Sequence, residues 1–398
     1  MRRILTIAAI VIVLVGIGVV AYFYFFARTA SVVVAPETGA SLSSAGPGAA
    51  PSAGEAATTS PAASPVPVSA RLAEISTGPV VPGEAVVDIP AQNASSSPDV
   101  AVTYIERQSG NVFSYLAQAG TLTRISNRTI PGIEEASWLP DASLAFVRYL
   151  SGADFSTINT YALPADGSSG FFLPQNLGDI AVSSTSVLAL ASGVNGSSVS
   201  LMQTDGTHAA TVFTTPLSAM RVSFAGKGRY LAFTKPSATI PGDAFLVDGA
   251  GYFSRIAGPL DGLVALASPS GKWVLVSFVQ NGMQMELVNT ATGETIPLPV
   301  ATIADKCVWT ADDSAIYCGV PVHPPENYAY PDDWYQGAVH FSDRIWKIDV
   351  SGRYAQLVLD FSKETGTALD AVALAIDPSN TVLAFLNKND SSLWAYKL

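Results

Sequence analysis

Cysteine, histidine and charge are all scarce in this 398-residue chain: two Cys, three His and only 13% Asp, Glu, Lys and Arg. The charged share is about half that of an ordinary globular protein. With a formal charge of −11, it argues against a nucleic-acid binder, which needs clustered Lys and Arg to neutralise phosphate. No HExxH, paired CxxC, phosphate-binding loop or GxSxG elbow occurs, and His208, His323 and His340 stand in unrelated contexts. Asp166 and Asp205 precede glycine and read as turn formers. ADGSSG and TDGT lack the alternating oxygen donors of a calcium loop. Asp312 and Asp313 are adjacent, so in a turn they point apart and make a poor acid–base pair. These gaps predict a protein that is not an enzyme and that uses no metal and no cofactor.

What the chain has is 48% hydrophobic residues, 32 Gly and 26 Pro, a profile of strands and turns. At the N-terminus Met1-Arg2-Arg3 leads into an apolar run from Ile4 to Ala27. As a helix it would be about 36 Å long, enough to cross a hydrocarbon core of about 30 Å. Tyr22, Phe23, Tyr24, Phe25 and Phe26 crowd its far end, where rings favour the interface. A cleaved signal peptide is the rival, but the run is long and its aromatic end makes a poor cleavage site. Arg2, Arg3 and the terminal amine outweigh Arg28, which puts the N-terminus inside and the rest of the chain outside. Residues 35–70 are Ala, Ser, Gly, Pro and Thr with few large apolar side chains. Such a stretch cannot offset its ordering entropy and is expected to be a disordered, semi-flexible spacer.

After the spacer, turn clusters fall between paired strand patterns. They are Ser97-Pro98-Asp99, Pro140-Asp141-Ala142, Ser183-Ser184-Thr185, Gly226-Lys227-Gly228, Pro269-Ser270-Gly271, Asp312-Asp313-Ser314 and Pro378-Ser379-Asn380. Their spacing is about 43 residues five times running, then about 66, one repeat plus an insertion of about 23. Apolar strands follow each turn (AVTYIE, LAFVRYL, VLALAS, YLAFTK, WVLVSF, AIYCGV, VLAFLN). Second strands often end in Asp or Gly turns. Repeats of this length and content are β-propeller blades. Seven turns predict an all-β, seven-bladed propeller, with six or eight blades as alternatives. The C-terminal repeat ends after its third strand at LWAYKL, so RLAEIS or EAVVDIP, between Leu72 and Ile89, is placed to close the ring.

The turn-plus-strand units SPDVAVTYIE, LPDASLAFVRY, SPSGKWVLVSF and TADDSAIYCGV resemble the WD40-like repeats of TolB-type propellers. They are similar also to the propeller domains of prolyl oligopeptidase-class peptidases. The resemblance covers residues 97–398 and implies a fold more than a function. The hydrolase domain of the peptidases and the N-terminal α/β domain of TolB have no counterpart in the sequence, so neither activity nor partners carry over.

Cys307 and Cys318 flank the turn at Asp312-Asp313. A hairpin symmetric about that turn opposes them directly, close enough for a disulfide. Two free buried thiols are the alternative. A disulfide would require an oxidising compartment. The insertion, about residues 319–342, collects Tyr328, Tyr330, Trp334, Tyr335 and Phe341 with Glu326, Asp332, Asp333, His323 and His340. A metal on both histidines plus Asp332 is disfavoured by their irregular spacing. Aromatic loops on rigid scaffolds often carry recognition. The alternative is a loop that packs onto the propeller.

The sequence therefore predicts a cytoplasmic stub (1–3), a membrane helix (4–27), a linker (28–71) and a propeller (72–398) whose residues 72–96 hold the closing strand. The protein would be a single-pass membrane protein with its C-terminal domain outside the cytoplasm. It would act as a protein- or polymer-binding or scaffolding module of the cell envelope. Its partner would be an envelope protein or surface polymer, bound by Tyr328, Tyr330, Asp332, Asp333, Trp334 and Tyr335. The competing readings are a propeller hydrolase or lyase acting on an envelope polymer, and a structural subunit of an envelope assembly.

Overall fold

The computed structural model describes residues 65–76, 78–91 and 97–398. The expected membrane helix and nearly all of the expected linker lie outside these residues. Among the described residues no helix is long and apolar enough to cross a membrane.

Seven antiparallel sheets follow one another along the chain, each a propeller blade. Blades 1 to 6 span Ala85–Arg124, Ile133–Phe172, Leu177–Thr215, Met220–Leu260, Val264–Pro297 and Cys307–Asp360, with four strands each. Blade 7 takes its inner three strands from Ala371–Ile376, Val382–Asn387 and Leu393–Lys397. Its fourth strand is Leu72–Ser76, which pairs Leu72 with Tyr396 and Glu74 with Trp394. RLAEIS is thus the closing segment, while Ala85–Ile89 of EAVVDIP is the inner strand of blade 1. Val66–Pro67 adds a short outermost strand to blade 7.

Every turn cluster read from the sequence separates the first and second strands of a blade. The tight chain reversal is made locally. Asp141 and Asp312 accept hydrogen bonds from the N–H of Ser143 (3.0 Å) and Ser314 (3.1 Å). Ala142, Asp313 and Asn380 take the left-handed conformation, with φ of 58°, 61° and 57°, which Asx-type turns tolerate. Second strands are apolar without alternation because neighbouring blades cover both faces. Val382–Asn387 is buried at all six positions.

The core is a ring of interblade seams rather than one central mass. Ile105, Val112, Ile133 and Val147 join blades 1 and 2. Leu190, Val199, Val222 and Val247 join blades 3 and 4. Val86, Val102, Val382 and Ala395 close blade 7 on blade 1.

Cys307 and Cys318 are paired residues of neighbouring strands and form a disulfide, with Cα atoms 4.1 Å apart.

Candidate functional site

The insertion emerges between the second and third strands of blade 6, which end at Pro321 and restart at Asp343. It folds over the end of the channel where the inner strands begin. Its one helix, α1, is Asp332–Tyr335. Asp333 accepts the N–H of Ala329 at 2.7 Å. Asp332 reaches outside its blade to the N–H of Ala238 at 3.1 Å. The Tyr330 hydroxyl donates to the carbonyl of Pro325 at 2.7 Å. Trp334 turns inward: it is 3% exposed, lies parallel to Phe341, and donates its indole N–H to Asp370 at 3.0 Å. Of the six residues expected to meet a partner, Tyr328 and Tyr335 are the exposed ones. Trp334 is occupied as packing because it shields a charge beneath the loop.

That charge is Lys306, at the end of a 3₁₀ turn, Ala304–Lys306. Its Nζ lies 2.7 Å from Asp343 and also bonds Asp370, and all three side chains are fully buried. The rings of Trp334 and Phe341 stand 5.0 Å from Nζ. Burial pushes the Asp343 carboxyl up to about 6, against the pull of Lys306 and with a further push from Asp370. Sealed from solvent, this triad holds the insertion to blades 6 and 7.

Beside it, at the channel mouth, lies a more open cluster. Arg221, from the inner strand of blade 4, meets Asp305 at 2.7 Å, past the intervening blade 5. The Tyr335 hydroxyl donates to the same Asp305 oxygen, also at 2.7 Å. Asp179, on the inner strand of blade 3, accepts the N–H of Val222 at 2.8 Å, so it adjoins Arg221. Glu135 and Arg148 of blade 2 pair at 3.0 Å nearby, and Arg148 also donates to the carbonyl of Leu177. Burial raises the Asp179 carboxyl despite the Val222 N–H and Arg221. Burial alone would weaken the Arg221 guanidinium, but Asp305 beside it holds it firmly charged. Tyr335 is 40% exposed, but its hydroxyl end is desolvated among Asp305 and Arg221, and this desolvation and then Asp305 raise the phenol well above its ordinary value. A carboxyl whose proton affinity burial raises, a fixed cation and a phenol thus share one mouth, the kind of arrangement acid–base chemistry uses.

Sequence reasoning singled out Tyr335, as a partner contact, and did not single out Asp179, Arg221 or Asp305. A signal existed: Glu135, Asp179 and Arg221 recur at about the 43-residue repeat, as polar residues early in inner strands.

No family model matches the chain, and neither does any curated protein. Solved structures do share the fold. An oligogalacturonate lyase from Vibrio parahaemolyticus aligns with a TM-score of 0.54 at 8% identity, over 82% of this chain and 93% of that one. An oligogalacturonate lyase in complex with manganese aligns with a TM-score of 0.53 at 9% identity, over 80% and 98%. The likeness is one of fold, and the resemblance to TolB-type repeats likewise stands as fold alone. The expectation that the chain is not an enzyme is corrected here. Enzymes occupy this architecture over nearly their whole length, so neither the fold nor scarce histidine excludes catalysis. Among the described residues no group of three or more His, Cys, Asp or Glu converges to hold a metal.

Proposed function

We infer that this chain is a propeller enzyme of the hydrolase or lyase type, acting on a polymer of the cell envelope at the channel mouth. The observation that carries the reading is the cluster of Asp179, Arg221, Asp305 and Tyr335, drawn from blades 3 and 4, the 3₁₀ turn before blade 6 and the insertion. In this reading the raised Asp179 carboxyl exchanges a proton with the substrate. Arg221 neutralises negative charge that develops on it, and the Tyr335 phenol turns its single O–H from Asp305 to a substrate oxygen. Asp305 orients both partners. Tyr328, exposed on the insertion, supplies a ring against which a sugar can stack.

Tethering by residues 4–27, with the propeller outside the cytoplasm, belongs to the same proposal. The Cys307–Cys318 disulfide supports it, since such bonds persist in oxidising compartments.

The test is turnover of the purified protein on a panel of uronate-containing and neutral polysaccharides. Ultraviolet absorbance of the unsaturated product marks elimination, and reducing ends without that absorbance mark hydrolysis. Asp179→Asn and Arg221→Met should each lower turnover by about 10²-fold or more. Absence of turnover across the panel, or full activity in Asp179→Asn, refutes the assignment.

A further inference from the structure

A second site lies along the channel wall, separate from the mouth cluster. A cavity of about 280 Å³ is lined by inner-strand and turn residues of blades 1, 2, 6 and 7. Trp138, Trp309, Val86, Val308 and Ile376 give it an apolar wall, and the exposed residues Pro140, Ala311 and Pro378 mark its open side. Glu84 is its one charged residue.

Glu84 is 7% exposed, and among the described residues nothing beyond the adjoining Gly83–Glu84 backbone offers its carboxylate a donor, and that backbone lies outside good hydrogen-bond geometry. The residue before it is tightly held. Gly83 has φ +97°, and a side chain at that position would collide with the carbonyl of Ala136. The Trp138 indole N–H pins the Gly83 carbonyl at 3.0 Å, and the Trp309 indole N–H is spent on the carbonyl of Leu266 at 3.3 Å. Neither indole is aimed at the carboxyl. A buried carboxyl without a partner costs free energy, so its place on a cavity wall calls for something to meet it.

We propose that this cavity binds a small organic ammonium ion, with Glu84 as its counter-ion and Trp138 and Trp309 as the walls around its apolar body. An ammonium group brings the positive charge and the well-aligned N–H donors that the carboxylate lacks. Indole rings are the aromatic walls best suited to a cation. A neutral apolar guest would fill the space and leave the carboxyl unpaired. The volume lies at the lower end of ligand pockets, which limits the guest to a small alkyl- or aryl-ammonium. Burial pushes the Glu84 carboxyl up to about 8, the backbone N–H groups of Gly83 and Glu84 drawing it partly back. At neutral pH the acid therefore gives up its proton to solvent as the cation enters, and ammonium carboxylate replaces carboxylic acid.

The test is titration calorimetry of the full chain with phenethylamine and with its neutral analogue, phenylethanol. The amine should bind at least tenfold more tightly, and comparison of buffers should show release of a proton with the amine only. Glu84→Gln should erase the preference without lowering the melting temperature. If that variant fails to fold, the buffer comparison on the unaltered protein decides alone. Equal binding of amine and alcohol, binding of neither, no proton release, or a preference that survives in a folded Glu84→Gln would each overturn the proposal.

Discussion

Replacing Lys306 with Met tests how the insertion is held. Met matches the aliphatic stem of Lys in length, so it opens little cavity, and what it removes is the ammonium. Asp343 and Asp370 then face one another as fully buried carboxylates. Some partners remain. Asp370 keeps the Trp334 indole and the Phe341 N–H, both at 3.0 Å, and Asp343 keeps the Ala371 N–H at 2.7 Å. None of these neutralises charge. Removing one side of a buried ion pair costs about 3–5 kcal/mol, and the second carboxylate argues for the upper part of that range. Urea unfolding of the oxidised protein, followed by tryptophan fluorescence, should show a lower midpoint with an unchanged slope. Two controls separate charge from packing. Adding Asp370→Asn should recover part of the loss, because one buried charge disappears. Lowering the pH from about 7 to 5 should narrow the gap to the unaltered protein, since without Lys306 the carboxyls take up protons more readily. A loss under about 1 kcal/mol, or a double variant no better than the single one, refutes the reasoning.

Trp334→Ala should cost about 3–5 kcal/mol, read by the same unfolding assay, because the ring is packed under the insertion; an unchanged midpoint would place it elsewhere. Replacing both Cys307 and Cys318 by Ser should cost roughly 2–3 kcal/mol for the short loop they close, and two free thiols in native protein would overturn the pairing. Glu84 holds its proton up to about 8 in the folded chain, against 4.5 as its ordinary value. Its contribution to stability is therefore fully present below about 4.5 and lost as pH rises through 8. Glu84→Gln should flatten the melting-temperature profile across that window, and a profile unchanged by the substitution refutes the assignment. Ile75→Ala, in the closing strand and fully buried, should cost about 2–5 kcal/mol, and a cost under about 1 kcal/mol would mean the seam bears little of the ring's stability.

The blades were legible because their signal repeats. A tight turn, with Asp, Gly or Asn in six of seven cases and Ser-Ser-Thr in the other, followed by a largely buried apolar strand, leaves a similar trace seven times. The disulfide was legible because symmetry about one such turn opposes Cys307 and Cys318. Trp334 was harder to place. An aromatic residue in an irregular loop reads the same whether it faces solvent or covers Lys306, and only the approach of Asp343 and Asp370 from distant positions decides it. The mouth cluster was hidden for a related reason: Asp179, Arg221 and Asp305 are singly unremarkable polar residues that converge only when the ring closes. Glu84 carries no local mark at all, since what sets it apart is the lack of a donor nearby.

Closure by Leu72–Ser76 has a consequence for how the ring is made. The backbone of Lys397 bonds to Arg71, its carbonyl accepts the Arg71 side chain, and these two residues lie 326 positions apart. Six blades can therefore be synthesised and packed edge to edge while the seventh has only its outer strand and still lacks the inner three. During that interval two sheet edges stay open, and contacts of such long sequence separation form slowly. An early strand must wait, unpaired, for a partner translated hundreds of residues later. A ring built this way is vulnerable to trading that strand with a neighbouring copy, so the period between synthesis of residue 76 and of residue 397 is when the chain most needs to be kept apart from others.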